Sequence, residues 1–356
     1  MNIDRASIRK ILVLRYRSIG DIILSFPTFE ALKTTFPRAR VDMVVDDALT
    51  DICYAHPYVD YIIMHERKKW DKKHKSSLGR ELSFIMKIRK QKYDMVVDLH
   101  CGPRSSLLTL LSGARYRLGN NARIRNKFTY NLKSRTKPRS PHSVDVMMNI
   151  ISPLRPKMPG RKSLFLHFRD NDRSYVKKFL ERYDISEKDT VVLVHPGARL
   201  DYKRLPAQKM GEVVKWMTTE LGVKVIYAGS DRDLSMIADI VSYSGGPGLM
   251  ATNLSLGQLA ALIKSCGLFL GNDSGPMHMA AALSVPIVAF FGPSDPEVWS
   301  PWGAHGKIVR PSKMHCMPCS QKGCPYVGDH CMARIKVGDI KRAISDTLKI
   351  KTLASG

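Results

Sequence analysis

The chain has 356 residues with 44% hydrophobic and 8% aromatic content, which suits a soluble globular protein of two domains. No apolar run reaches the roughly 18 residues that a membrane span needs, and the first residues, MNIDRASIRK, are too polar for a secretory signal, so we expect a cytosolic protein. Residues 1–180 contain 37 Lys and Arg against 16 Asp and Glu, and the remaining residues contain 20 Lys and Arg against 16 Asp and Glu. Most of the net charge of +25 therefore lies in the first half, which indicates that this half binds an anionic partner.

The first half of the chain alternates short apolar runs with segments of helical spacing. Strands are predicted at KILVLRY, RVDMVVDD, VDYIIMH and YDMVVDLH, and a helix at GRELSFIMKIRKQ. One helix after the first strand is predicted by apolar side chains at helical spacing, namely Ile22, Ile23, Phe26, Phe29, Leu32 and Phe36. Near-continuous Val and Ile runs are typical of strands covered on both faces, so we expect a parallel sheet between helices.

The same alternation restarts after a segment rich in Pro, Lys and Arg at residues 152–163. Strands are predicted at TVVLVHPG, VKVIYAGS, LFLGNDS and PIVAFFG. Helices are predicted at PAQKMGEVVKWMTTELG, which Gly222 closes, at DLSMIADIVSYSG, at SLGQLAALIKSCG, which Ser255 caps, and at VGDIKRAISDTLKI. The predicted fold class is therefore α/β, with two doubly wound Rossmann-like domains over residues 1–160 and 161–356.

Four polar turns follow predicted strands at the carboxyl ends, where doubly wound sheets bind ligands. They are RSIGD (17–21), HPGARLDYKR (195–204), GSDRD (229–233) and NDSGPMH (272–278). The sequence contains no G-x4-G-K-[ST], G-x-G-x-x-G or H-E-x-x-H pattern. The usual ATPase and dinucleotide-oxidoreductase interpretations therefore lose their main support.

The last of these turns predicts an anion site. A capping side chain, a small residue and Pro276 stand at a strand-to-helix junction, where backbone N–H groups of the helix start are free. Ser274 supplies a hydroxyl, Gly275 lets a phosphate approach the backbone, and His278 lies one turn into the helix. The alternative is an ordinary helix cap followed by a packed histidine.

The two middle turns complete a predicted pocket for a nucleoside diphosphate. Gly197 and Ala198 give a second close-approach loop, and Arg199, Lys203 and Arg204 offer cations, unless they are only surface charges. Ser230 and Asp231 end a strand with an acid that can accept a hydrogen bond from a sugar hydroxyl. A plain helix cap by Asp231 is the alternative.

Asp21 follows Gly20 at the end of the first predicted strand. As a first-turn carboxylate it would interact favourably with the helix dipole, by ~0.3–1 kcal/mol. A carboxylate at a strand terminus, facing a cleft between two sheets, is also what a general base needs.

Taken together, the motifs resemble the ADP-heptose:lipopolysaccharide heptosyltransferases, inverting glycosyltransferases whose GT-B fold has two facing Rossmann-like domains. The stretches that carry the resemblance are ILVLRYRSIGDIILSFPTFEALKTTFP, DLHCGPRSSLLTLLSGARYRLG, HPGARLDYKRLP and GNDSGPMHMAAALSVPIVAFFGPSDPEVWSPWG. The resemblance implies transfer of a heptose from ADP-heptose to the phosphorylated inner core of lipopolysaccharide, with no metal or other cofactor required. A GT-B enzyme that uses another nucleotide-sugar is the alternative.

The resemblance also implies roles for particular residues. Asp21 is implied as the catalytic base, and Lys203 as the residue that contacts the donor phosphates and supports the leaving group. The implied donor-binding residues are Asp231, Asp273, Ser274, Gly275 and His278. Arg123 and Arg125 are the implied acceptor-binding residues. Arg104 is assigned to the acceptor from its position alone, and Ser18 and Gly20 are predicted to bind the acceptor as well.

The acceptor implied by the resemblance lies at the cytosolic face of a membrane, which would account for the basic first half. The loop ERKKWDKKHK (66–75), with Trp70 among its lysines, is predicted to dock on anionic lipid at about 1 kcal/mol per Lys or Arg near the surface. A nucleic-acid-binding module is the rival explanation, but it predicts aromatic residues interleaved with the basic ones. Residues 101–150 contain only Tyr116, Phe128 and Tyr130 as aromatics.

Four of the seven cysteines are clustered near the end of the chain, at Cys316, Cys319, Cys324 and Cys331. The Cys-x2-Cys start resembles half a zinc site, and His315 and His330 are adjacent to the end cysteines. The alternative is that reduced thiols pack an irregular loop, and disulfides are not expected in a cytosolic protein.

Overall fold

The computed structural model describes residues 3–66, 77–120, 128–134, 136–157, 164–246, 248–312, 314–317, 319, 323–326 and 328–349. The chain divides into two compact units, Met1–Phe165 and Leu166–Gly356, and each contains one parallel sheet. The predicted domain boundary, after residue 160, lies a few residues before this division. Within the described residues, no helix combines the length and the apolar character that crossing a bilayer requires.

The first unit contains a five-stranded sheet in the order β3-β2-β1-β4-β5. Its strands are β1 Lys10–Leu14, β2 Arg40–Asp46, β3 Tyr61–His65, β4 Met95–Asp98 and β5 Tyr116–Leu118. Its helices are α1 Ile19–Ile23, α2 Phe26–Thr35, α3 Ser77–Lys90, α4 Pro103–Leu111 and α5 Ser143–Ile150. The apolar residues of the central strand β1, Ile11 to Leu14, are fully buried, as expected for a strand covered on both faces.

The second unit contains a six-stranded sheet in the order β11-β10-β9-β6-β7-β8. Its strands are β6 Val191–His195, β7 Lys224–Gly229, β8 Leu249–Thr252, β9 Leu268–Asn272, β10 Ile287–Phe290 and β11 Gly306–Val309. Its helices are α6 Asp170–Arg182, α7 Ala207–Glu220, α8 Leu234–Ser244, α9 Leu256–Lys264, α10 Gly275–Ala282, α11 Pro296–Trp299 and α12 Val337–Leu348. Counted along the unit, this is the Rossmann order 3-2-1-4-5-6.

The strand order places one switch point in each sheet. In the first sheet the winding reverses between β1 and β4, and in the second between β6 and β9. Doubly wound sheets bind ligands at the carboxyl ends of strands at such points. The turns after β1, β4, β6 and β9 are therefore where the fold itself indicates binding sites.

The predicted helix over Ile22 to Phe36 is in fact two helices, α1 and α2, separated at Leu24 and Ser25. Pro27 explains the break, because in a continuous helix its ring would collide with the carbonyl of Ile23 four residues earlier, and it lacks an N–H.

The two predicted helix ends in the second unit are confirmed. Gly222 follows α7 at a φ of 64°, and the Oγ of Ser255 accepts from the N–H of Gln258 at the start of α9. Helix α12, the terminal helix predicted from VGDIKRAISDTLKI, packs against α7, β10 and β11.

Candidate functional site

The turn after β1 places Asp21 in the first turn of α1 and holds it with an arginine. The Nη2 of Arg15 lies 2.6 Å from the Oδ1 of Asp21, and the two side chains are 12% and 22% exposed. The Nη1 of the same arginine donates to the carbonyl of Leu99, in the turn after β4. Arg15 therefore fixes the carboxylate at the switch point of the first sheet and leaves it partly open to solvent.

Ser18, at the start of α1, has a backbone conformation that L residues rarely adopt. Its φ is 72° and its ψ is 119°, and a conformation of this kind costs about 1–3 kcal/mol. Such strain is concentrated at functional sites, and here it lies three residues before Asp21. Gly20, predicted together with Ser18, is buried within the first turn of α1.

Polar side chains at the ends of neighbouring strands surround this turn. The Nδ1 of His65, which ends β3, lies 3.5 Å from the Oδ1 of Asp46, which ends β2. The ring of Tyr16 contacts the imidazoles of His65 and His100, with centroids 5.0 and 5.3 Å apart. Burial, aided by nearby guanidinium groups, lowers the pKa of His100 to about 4, so this imidazole is neutral at neutral pH.

Sequence reasoning missed this polar cluster, although the signal was present. Asp46, His65 and His100 each lie at the end of a predicted apolar strand, and Asp21 lies a few residues after one. The same rule that selected the turn after β1 would have selected these residues as well.

Arg104 lies in the first turn of α4, next to the turn after β4. Its side chain is 53% exposed, and its Nε lies 3.7 Å from the Oε2 of Glu81 on α3. Burial raises the pKa of Glu81, and the charge of Arg104 acts in the opposite direction. Of the other predicted acceptor residues, Arg123 and Arg125 lie outside the described residues, as does Trp70 with residues 67–75 of the predicted docking loop.

In the second unit, the turn after β9 begins helix α10 with unpaired donors. Ser274 is the N-cap residue, but its side chain makes no capping bond. Its Oγ is buried and has no hydrogen-bond partner among the described residues. Gly275 and Pro276 open the helix, and the first N–H groups of a helix have no intrahelical partner. This arrangement is the one that binds phosphate groups. His278 is 3% exposed and is buried within the second unit.

A lysine lies beside this helix start. The Nζ of Lys203 lies 3.0 Å from the Oδ2 of Asp273, and the two side chains are 15% and 11% exposed. The Oγ of Ser294 donates to the same carboxylate oxygen. Asp273 therefore contacts an ammonium and a hydroxyl of the protein, which suits a residue that positions Lys203 for a diphosphate.

Asn272, the last residue of β9, ties this turn to the turn after β6. It is fully buried, and its Nδ2 donates to the carbonyl of Pro196 at 2.7 Å. Its Oδ1 accepts from the N–H of Leu205 at 3.0 Å. These bonds hold both ends of the segment that carries Lys203, which explains why an amide interrupts an apolar run.

We expect Asn272→Ala to lower the free energy of unfolding by about 1–3 kcal/mol, because the buried carbonyl of Pro196 and N–H of Leu205 lose their partners. Urea unfolding followed by circular dichroism measures the change. Asn131→Ala is the matched control, since its amide also bonds two backbone groups but at an exposed position, where about 0.5 kcal/mol or less is expected. Equal losses in the two variants would contradict the role of Asn272.

Gly197 is required by packing inside the second unit. A Cβ at this position would lie 2.6 Å from the Oδ1 of Asp233. Asp233 accepts from the N–H and the Oγ of Ser230, both at 2.9 Å, and Arg204 lies 3.8 Å away. Gly197 and Ser230 thus belong to a network that shapes the turn, whereas Arg199 is exposed.

Asp231 is an exposed carboxylate at the carboxyl end of β7. The Nδ2 of Asn253, just after β8, donates to its Oδ1 at 2.6 Å. The capping carboxylate of this turn is Asp233, so the alternative in which Asp231 caps the helix is wrong. Asp231 is therefore accessible to accept a hydrogen bond from a ribose hydroxyl.

Two of the four clustered cysteines, Cys319 and Cys331, lie next to the loop that carries Ser294. The N–H of Cys319 donates to the carbonyl of Pro293 at 3.1 Å, and a side chain at Gly292 would collide with the Sγ of Cys331. None of these four described cysteines forms a disulfide bond. Within the part of the chain that the structure describes, no three His, Cys, Asp or Glu side chains are placed to hold a metal ion.

The chain is similar to known glycosyltransferases. A model of glycosyltransferase family 9 (heptosyltransferase) matches residues 81–329. The chain is 25% identical over 299 residues to lipopolysaccharide heptosyltransferase 3 of Escherichia coli, covering 80% of this chain and 83% of that protein. The solved structure of a family 9 glycosyl transferase from Veillonella parvula matches with a TM-score of 0.85 and 25% identity, covering 98% and 99% of the two chains.

A second solved structure, E. coli heptosyltransferase WaaC with ADP-2-deoxy-2-fluoro heptose, matches with a TM-score of 0.71 and 17% identity over 95% of this chain and 99% of that one. The two parallel-sheet units and these likenesses confirm the predicted α/β fold class.

Proposed function

Because the chain belongs to glycosyltransferase family 9, we propose that it transfers a heptose from ADP-heptose to an acceptor in the inner core of lipopolysaccharide. The support is threefold: the family model is that of heptosyltransferases, a curated relative over most of the chain is a lipopolysaccharide heptosyltransferase, and a protein of the same fold binds an ADP-heptose analogue. We propose that the second unit binds the donor and the first unit the acceptor.

The main support for donor binding by the second unit is the ion pair of Lys203 and Asp273 beside the start of α10. Three kinds of donor are fixed in place before substrate arrives: the ammonium of Lys203, the hydroxyl of Ser274 and the first N–H groups of α10. As the sugar departs, the diphosphate gains negative charge, and fixed donors stabilise that charge more in the transition state than in the ground state. Asp231 is proposed to accept from the ribose.

The acceptor half of the proposal assigns the proton transfer to Asp21. Its carboxylate removes the proton from an acceptor hydroxyl, whose oxygen bonds to the anomeric carbon while the bond from that carbon to the ADP oxygen breaks on the opposite face. The configuration is thereby inverted. The Arg15 contact supports this role because it orients the carboxylate, as a general base requires.

We further propose that the protein contacts an anionic membrane peripherally at the cytosolic face, where a lipid-linked acceptor would be presented. The excess of Lys and Arg in residues 1–180 supports this proposal.

The alternative donor is another nucleotide-sugar, because the contacts described above suit a diphosphate and a ribose and do not select the sugar. Mass-spectrometric detection of nucleotide release, with a lipopolysaccharide inner-core acceptor and a panel of ADP-, UDP- and GDP-sugars, tests the proposal. We expect acceptor-dependent release of ADP with ADP-heptose. Faster turnover of a UDP- or GDP-sugar would favour the alternative, and nucleic-acid binding without turnover of any donor would contradict both.

A further inference from the structure

Four large aliphatic side chains are exposed on two helices of the first unit. Leu82 and Met86 on α3 are 51% and 52% exposed, and Leu107 and Leu110 on α4 are each 44% exposed. We call these four residues the aliphatic patch. Leu82 and Met86 are four positions apart, and Leu107 and Leu110 are three apart. The two residues on each helix therefore lie on the same face of that helix. Singly exposed apolar residues are ordinary, but an apolar patch marks an interaction surface.

The two helices lie side by side. Near their starts, Glu81 of α3 forms an ion pair with Arg104 of α4. Near their ends, the Nη1 of Arg89 donates to the carbonyl of Leu111 at 3.3 Å. Their inner faces enter the same core cluster through Ile85, Ile88 and Leu108. Because α3 and α4 are linked at both ends and share a core, the aliphatic patch forms one surface of the first unit.

Exposed cations flank the aliphatic patch. Together α3 and α4 contain a single acidic residue, Glu81, against five exposed basic residues: Arg80, Lys87, Arg89, Lys90 and Arg104. A surface that combines aliphatic side chains with Lys and Arg is typical of proteins that lie in the interface of an anionic bilayer.

A second copy of the chain is the other occupant that an apolar patch attracts. In a two-fold dimer the patch would meet itself, and the five cations of each copy would be brought near those of the other. Like charges oppose such a contact. An anionic bilayer instead supplies the complementary charge, so the charges on these helices favour lipid.

We infer that the aliphatic patch is the surface through which this protein lies on an anionic lipid bilayer, with its four side chains in the headgroup region and the flanking cations facing lipid phosphates. The inference rests on the proposed function, in which the acceptor is lipid-linked. Helix α4 begins at the carboxyl edge of the first sheet, the edge that also carries Asp21. Docking through this surface therefore brings the acceptor-binding edge close to the membrane.

Vesicle co-sedimentation of the full chain tests the inference. The test variant combines Met86→Ser with Leu107→Ser, one change on each helix. The control combines Tyr243→Ser with Met250→Ser in the second unit, where the side chains are 54% and 44% exposed. We expect the wild type and the control to bind phosphatidylglycerol vesicles more tightly than phosphatidylcholine vesicles. The test variant should bind the former about tenfold more weakly, since two apolar side chains no longer insert.

Two further measurements separate this inference from the proposed function. With a deacylated, soluble acceptor the test variant should turn over at the wild-type rate, and with vesicle-embedded acceptor it should be slower. Absence of turnover with every acceptor would count against the proposed function alone, because vesicle binding is measured without donor. Unchanged vesicle binding in a folded test variant would overturn the inference. So would sedimentation of the wild type as a dimer that the test variant converts to a monomer, which would identify a second copy as the occupant.

Discussion

Asp21→Asn is expected to lower the rate of transfer by about 10²–10⁴-fold, the usual contribution of a positioned general base, while ADP binding stays almost unchanged. The amide keeps the size of the side chain but cannot take a proton from the acceptor. The rate is measured by ADP release, and ADP binding by titration calorimetry. Binding should survive because the proposed diphosphate contacts, Lys203 and Ser274, lie in the second unit.

Asp145→Asn is the matched control for this experiment. Asp145 is also an acidic residue in the first turn of a helix of the first unit, and it accepts a hydrogen bond from Ser140 at 2.6 Å. If Asp21 is only structural, complementing its helix dipole and pairing with Arg15, both variants lose stability but keep their activity. Similar rates in the two variants, or loss of ADP binding together with activity in a folded Asp21→Asn protein, would contradict the base assignment.

The strands that flank the switch points could be predicted from the sequence, because burial on both faces demands an uninterrupted apolar run. The runs VVLVH and LFLGN became β6 and β9 with every apolar residue buried. The strands that were not predicted, β5, β8 and β11, are all at sheet edges. An edge strand such as GKIV in β11 is mostly exposed, so its sequence carries no such pattern.

The turns that carry the candidate site could be predicted from the sequence, but the contacts within them could not. Local sequence places Asp21, Ser274 and Lys203 in turns at strand ends. It does not reveal that Arg15 holds Asp21 or that Asp273 holds Lys203, since the second pair joins residues 70 positions apart.

Packing also changed the explanation of one glycine. The sequence indicated that Gly197 lets a phosphate approach the backbone, whereas in the structure the carboxylate of Asp233 occupies the space next to its Cα. A glycine required by a neighbouring side chain and a glycine required by a ligand look the same in a sequence. Only the position of Asp233, in another turn of the same unit, distinguishes them.

Lys203→Met is expected to lower kcat by about 10²–10³-fold, comparable to removal of a single donor from an oxyanion site, with a smaller change in KM. The methionine keeps the length and apolar part of the side chain but removes the ammonium that faces the leaving diphosphate. The measurement is steady-state ADP release over a range of ADP-heptose concentrations. Lys215→Met, at an exposed position of α7, is the control and should leave both constants unchanged.

A double variant that combines Lys203→Met with Asp273→Asn distinguishes a role of Lys203 in the reaction from a role limited to its ion pair. If Lys203 only neutralises Asp273, then Lys203→Met leaves a largely buried carboxylate with Ser294 as its remaining partner, and stability falls without a specific loss of kcat. In that case the double variant recovers stability, and its kcat, like that of Lys203→Met, stays close to the wild-type value. If the ammonium acts on the leaving diphosphate, the double variant recovers stability but keeps the low kcat, because no carboxamide at position 273 can supply the missing positive charge.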